Sequence, residues 1–276
     1  MQSGQGHNIF VLIPSVRGVH PMTMWNVFNM RTVAEKAGHR LHGSSVYRMP
    51  LDLARNELAA VFLSTTCDLC LMLDDDVQLE PETGLLTMVT AADAGADIVT
   101  APCRLRDHAH GGATSLSLFN IWPTSEVVEK GDVKLLECDR TGLGAVLVKR
   151  AVLETLMTAS TRYASRLLPA PAKSGDIFTS QVVAASALMQ DVPEDLGVYC
   201  LDDVIFSLKA RKAGLQIYAA IEVATVHDGM RGCFAEELTA LDRATAAQAD
   251  REKKRVAKLL DKDGKPLLNK DGKPLQ

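Results

Sequence analysis

Three consecutive carboxylates, Asp74, Asp75 and Asp76, follow the apolar run 69–73. Like charges gathered at the end of a buried strand repel one another, and a bound cation offsets that cost. Hard oxygen ligands of this kind suit Mn²⁺ or Mg²⁺, which proteins hold with one or two carboxylates while substrate phosphates supply further oxygens. The same three residues could instead form an acidic turn ahead of the helix that begins near residue 82. A second acidic pair, Asp202 and Asp203, opens another helical stretch, where a carboxylate either caps the helix or acts as a general base. His227 ends the last apolar run, 216–226, and presents an imidazole that can ligate a metal or serve only in packing.

Spacing disfavours several other chemistries. Gln78 stands two residues after Asp76, where an Asp-x-Asp-x-Thr/Val phosphatase pattern needs Thr or Val. Gly142-Leu-Gly144 lacks the third glycine of a dinucleotide fingerprint, since Leu147 occupies that place, and no phosphate-loop pattern ending in Gly-Lys-Ser/Thr occurs. Cys67 and Cys70 form a CxxC pair, but alternation along a strand points residues three apart to opposite faces, so buried apolar thiols are expected.

The elements that must position these groups are read from the whole chain. Its 276 residues are 47% hydrophobic and 23% charged, which suits one large folded domain and excludes disordered and collagen-like chains. Thirty Lys+Arg against 34 Asp+Glu give a net charge of -4. From Asp250 to Gln276 nine Lys/Arg and five Asp/Glu leave +4, so residues 1–249 carry -8, an acidic body with a basic tail. No apolar run approaches the ~18–20 residues of a membrane span, and the N-terminus lacks the basic and apolar regions of a signal peptide, so a cytoplasmic protein with reduced cysteines is expected.

Apolar runs at 9–13, 69–73 and 97–101 alternate with helical patterns at 23–37, 53–63 and 82–94. Such alternation predicts βαβ units and a mainly parallel sheet, with ligands beyond the carboxyl ends of the strands. Further strands are expected at 115–122, 133–137, 145–148 and 216–226, and helices at 150–157 and 201–213. Segment 160–199 shows no periodicity. Residues 236–260 read as a long charged helix, and Lys-Asp-Gly-Lys-Pro-Leu occurs twice beyond it, at 262–267 and 270–275.

In this order the residues resemble the GT-A glycosyltransferases, especially compact family 2-like enzymes of bacteria and phages, over 1–232. Pro14 and Ser15 resemble the nucleotide-binding loop after strand one. Arg55 and Asn56 lie in what looks like the helix that supports base and diphosphate. Asp74 to Asp76 resemble the DxD motif, and Gly142 and Gly144 the turn beside the donor sugar. Asp202-Asp203-Val-Ile-Phe206 is similar to the Glu-Asp-Val-x-Phe motif of the catalytic base, with Asp202 where Glu is usual, and His227 matches the late metal-ligand histidine.

The resemblance implies a Rossmann-like α/β domain with a C-terminal helical appendage, residues 233–276. It also implies a metal-dependent, inverting transfer of sugar from a nucleotide-sugar donor, UDP-sugars favoured, to a hydroxyl. Asp76 and His227 would hold Mn²⁺ or Mg²⁺, Asp74 the metal or ribose, and Asp203 would be the base; Asp75 and Asp202 belong to the donor site. Arg17, Arg104 and Arg106 could meet the phosphates. No acidic uracil-binding residue stands at Gly43-Ser44-Ser45. His20, Trp25 and Trp122 could shape a sugar or acceptor pocket, and Arg162, Tyr163, Arg166 and Lys173 could contact the acceptor, a hydroxylated DNA base or a glycan. His108 and His110 are expected to be a loop pair without metal. A nucleotidyltransferase of related fold and a non-catalytic nucleotide-sugar or polysaccharide binding module are the alternatives.

Overall fold

The computed structural model describes residues 6–104, 119–184, 188, 197–227 and 230–233, with Ala235, Glu236, Thr239 and Arg243 beyond them. The chain divides into two compact units, Met1–Phe234 and Ala235–Gln276. Most of the anticipated C-terminal helix, both six-residue repeats, Arg106, His108, His110 and most of the anticipated strand 115–122 lie outside the described residues. Among those described, no helix is long and apolar enough to cross a membrane.

The first unit is built on an eight-stranded mixed sheet. Its strands are β1 (Asn8–Ser15), β2 (Arg40–Tyr47), β3 (Leu69–Leu73), β5 (Ile98–Thr100), β6 (Ile121–Lys130), β7 (Val133–Thr141), β8 (Ala145–Lys149) and β13 (Ile217–Ala220), ordered β2-β1-β3-β8-β5-β13-β7-β6. β1 pairs in parallel with β2 and β3, and β13 with β5, whereas β8 and β7 run antiparallel to their neighbours. All strands but β7 and β8 therefore point the same way, and the loops after β1 and β3 leave the sheet at the same edge. β1 and β3 are almost wholly buried, as near-continuous apolar runs at the middle of a covered sheet must be.

Helices α1 (Pro21–Lys36), α2 (Leu51–Leu63), α3 (Gly84–Asp93), α4 (Arg150–Ala159) and α5 (Asp202–Lys212) flank this sheet. α1 starts at Pro21, whose missing N–H costs nothing in a first turn, and the His20 ring accepts from the Met22 N–H. It buries Thr23, Asn26, Met30 and Ala34, one stripe at helical spacing.

Two expectations need correction. The run 216–226 is not one strand: after β13 the chain turns and enters a second sheet as β14 (Thr225–His227), between β4 (Val77–Leu79) and β15 (Met230–Gly232). β2 leaves no apolar period in the sequence, because only Leu41 and Val46 of its polar, glycine-containing residues are buried at the sheet edge. The aperiodic stretch 160–199 holds two small antiparallel pairs, β9 (Arg162–Ala164) with β10 (Lys173–Gly175), and β11 (Gln181–Ala184) with β12 (Gly197–Cys200). All six cysteines are free and buried, Cys67 and Cys70 among them, and burial pushes the Cys70 thiol upward.

Candidate active site

β3 ends at Leu73 and the chain turns through Asp74, Asp75 and Asp76 into β4. The turn is held by backbone bonds: the Asp74 N–H donates to the Gly144 carbonyl (2.9 Å), and the Val77 N–H to the Asp74 carbonyl (3.2 Å). β4 pairs antiparallel with β14 so that His227 lies opposite Val77, which brings a histidine 151 positions downstream of Asp76 to its side. His227 Nε2 stands 3.6 Å from Asp76 Oδ2, and its Nδ1 donates to the Arg104 carbonyl at 2.9 Å. That donation leaves the Nε2 lone pair directed away from the backbone, the tautomer a metal ligand requires.

The three carboxylates have different partners. Asp75 accepts from the Ser15 hydroxyl, which also accepts from the Gly18 N–H (2.8 Å), while the His20 N–H donates to the Asp75 carbonyl at 3.0 Å. The acidic turn is thereby fastened to the loop after β1. Asp74 Oδ1 accepts from Arg55 Nη2 at 2.6 Å, and the other end of that guanidinium donates to Asp202 Oδ2 at 2.5 Å. Arg55 and Asp202 are buried, so one cation clips the acidic turn to the first turn of α5. Desolvation raises the Asp74 carboxyl pKa; Arg55 pulls it back, and Asp76 and Asp202 add to the rise.

Pro14, Arg17, Asp74, Asp75, Asp76 and His227 line one open cavity of ≈ 320 Å³, with Val16 and Leu51 completing its wall. The apolar members Val16 and Leu51 carried no chemical signal in the sequence; only their place beside the turn reveals them. Asp203 does not line this cavity. It follows Asp202 in α5, its Oδ1 accepts from the Val204 N–H at 2.7 Å, and desolvation raises its pKa.

Other anticipated site residues have structural partners. Asn56 is buried and its amide is spent on Phe178, Nδ2 donating to the carbonyl (2.6 Å) and Oδ1 accepting from the N–H (2.8 Å). It therefore anchors the segment after β10 and is not brought to the cavity. A Cβ on Gly142 would lie 2.5 Å from Asn120 Nδ2, and one on Gly144 3.1 Å from Cys103 Sγ, so close packing alone demands small residues in this turn. Arg104 contributes its carbonyl, the group that fixes the His227 ring.

Among the described residues no cluster of three or more His, Cys, Asp or Glu is arranged to enclose a metal unaided. A cation that bridges phosphates needs only one or two protein ligands, and Asp76 with His227 supplies an oxygen and a nitrogen facing each other across 3.6 Å.

No protein-family model and no curated protein matches the chain. Among solved structures, A197 from STIV is similar at 17% identity and a TM-score of 0.46, over 80% of this chain and 85% of its own. An apo UDP-glucose pyrophosphorylase matches at 7% identity and 0.40, over 88% and 82%, respectively. A glycosyltransferase involved in glycosylation of the major capsid of PBCV-1 matches at 14% and 0.26, over 53% and 62%. The three scores all lie below 0.5, and each neighbour's activity is its own.

Proposed function

We propose that this chain is a GT-A-type, metal-dependent, inverting glycosyltransferase that moves a sugar from a nucleotide-sugar donor, preferably a UDP-sugar, to a hydroxyl of a glycan or hydroxylated DNA base. One observation carries the reading. Residues from β1, β3 and β14 meet around a single acidic cavity, and Arg55 ties that cavity to the helix that bears Asp203.

In this reading Asp76 and His227, with Asp74 beside them, hold Mn²⁺ or Mg²⁺. The cation's chemistry is to neutralise charge on the departing diphosphate. Arg17 lines the same cavity and offers the diphosphate a guanidinium, while Pro14 and the Ser15–Asp75 bond fix the loop against which the nucleotide lies. Asp203 takes the proton of the attacking hydroxyl; its raised pKa increases its basicity toward that proton. Asp202 and Arg55 position Asp203, and the Gly142–Gly144 turn holds Asp74 through its carbonyl.

Thermal-shift measurements with UDP-, GDP-, CMP- and TDP-sugars, each with and without Mn²⁺, test the donor assignment: stabilisation should require both metal and one nucleotide class. Asp203→Asn should then lower sugar transfer by roughly 10²–10⁴-fold, the usual worth of a general base, while keeping the metal-dependent shift. Unchanged turnover would sink the base assignment and favour nucleotidyl transfer, which shares the metal and diphosphate chemistry. No shift with any donor would favour a binding module.

A further inference from the structure

β4 and β14 have two faces. Side chains alternate along a strand, and directly opposed residues of an antiparallel pair share a face. Val77 and His227 are one such pair, and Gln78 and Val226 are the next, so Gln78 and Val226 face away from the acidic cavity. On their side lies a second cavity of ≈ 350 Å³ between the little sheet and α1. Met22, Trp25 and Asn29 project into it from the helix, and Gln78, Glu80 and Val226 from the sheet side.

Its chemistry differs from that of the acidic cavity. Trp25 is 62% exposed although it is among the largest apolar surfaces of the molecule, so its ring is available to a ligand. The Asn29 and Gln78 carboxamides line it, and each offers both donors and an acceptor. Glu80, which accepts from the Thr83 hydroxyl at 3.0 Å, supplies the only formal charge among the described residues of the lining, with no Lys, Arg or His among them. The wall is fixed by Asn26, whose amide Nδ2 donates to the Leu79 carbonyl (2.7 Å) and whose Oδ1 accepts from the Leu79 N–H (3.0 Å).

The carboxylate disfavours a phosphate, while an aromatic face with two carboxamides and a carboxylate at its edge suits a ring that presents C–H groups on its face and hydroxyls at its edge. We propose that this second cavity binds a neutral carbohydrate, one ring stacked on Trp25 and its hydroxyls bonded to Asn29, Gln78 and Glu80. The assignment stands apart from glycosyl transfer, because it requires no donor and no residue of the acidic cavity.

The test is calorimetric titration of the full chain with maltotetraose, cellotetraose and N,N′,N″,N‴-tetraacetylchitotetraose, followed in parallel by tryptophan emission. At least one should bind saturably and change the emission. Trp25→Ala and Gln78→Ala should each weaken that binding by about tenfold or more. Both replace solvent-accessible side chains, so melting temperature and the metal-dependent donor shift should stay at wild-type values. Absence of saturable binding by all three sugars overturns the proposal, as does an affinity unchanged in both variants. Loss of the donor shift with sugar binding intact would count against the glycosyltransferase reading alone.

Discussion

Strand β3 carries carboxylates at both ends, and the two ends are treated differently. At its start Asp68 accepts from the Asn8 N–H (2.7 Å) and from His7 Nδ1, while His7 Nε2 reaches Asp93 at 2.8 Å. The His7 ring also stacks on His39, with centroids 5.6 Å apart. Two carboxylates there share one imidazole and all are partly open to water. At the other end Arg55 pairs with Asp74 and Asp202, and Asp74, Asp75 and Asp76 line a cavity together with Arg17 and His227. The first end shares one imidazole between two carboxylates, whereas at the second three successive carboxylates line a cavity. An acidic cluster that lines an opening marks a candidate site, and this contrast can be broken by substitution.

The largest effect falls on Arg55. Arg55→Met removes the buried cation that bonds both Asp74 and Asp202, and unfolding in urea should show a loss of about 3–5 kcal/mol, the cost of stripping one partner from a buried pair. Loss of less than about 1 kcal/mol, the scale of exposed pairs, would mean that the clip is solvated like the His7 end.

A smaller effect of opposite direction is expected at Asp203. Its folded pKa lies above the ordinary 3.8, so the folded state holds this proton more tightly and its stability falls as pH rises through that interval. Asp203→Asn removes the cost, so the variant should be more stable than wild type at pH 7 and converge with it toward pH 3, as measured by denaturant titration. A variant less stable at neutral pH would show that the carboxylate supports the fold.

The smallest effect belongs to His7. Burial lowers its pKa, but bonds to Asp68 and Asp93 outweigh that and carry it above 6.5. The pairing therefore stabilises fully below pH 6.5 and fades as pH rises through the folded value. His7→Gln should cost at most about 1 kcal/mol at pH 5.5 and less at pH 8.5, since these partners are half exposed. A cost that grows with pH would reverse the assignment.

The parts that were legible in the sequence are local. β3 coincides with the apolar run 69–73, and the helices start within a few residues of their patterns, because burial period and turn chemistry are written in neighbouring residues. The acidic turn after β3 was visible for the same reason. β4 was not visible: three residues give no period, and the strand exists only because β14 pairs with it.

The sequence by itself determined which groups are present and that Asp74, Asp75 and Asp76 must emerge together at a strand end. Tertiary structure decided their partners. Arg55 joins Asp74, 19 positions away, to Asp202, 147 positions away, and the β4–β14 register gives His227 to Asp76 and turns Gln78 to the other side. Asn56, adjacent to Arg55, is directed instead to Phe178. Such choices depend on sheet register and helix packing, which are set by burying whole faces far apart in the chain and leave no mark in the spacing of neighbouring residues.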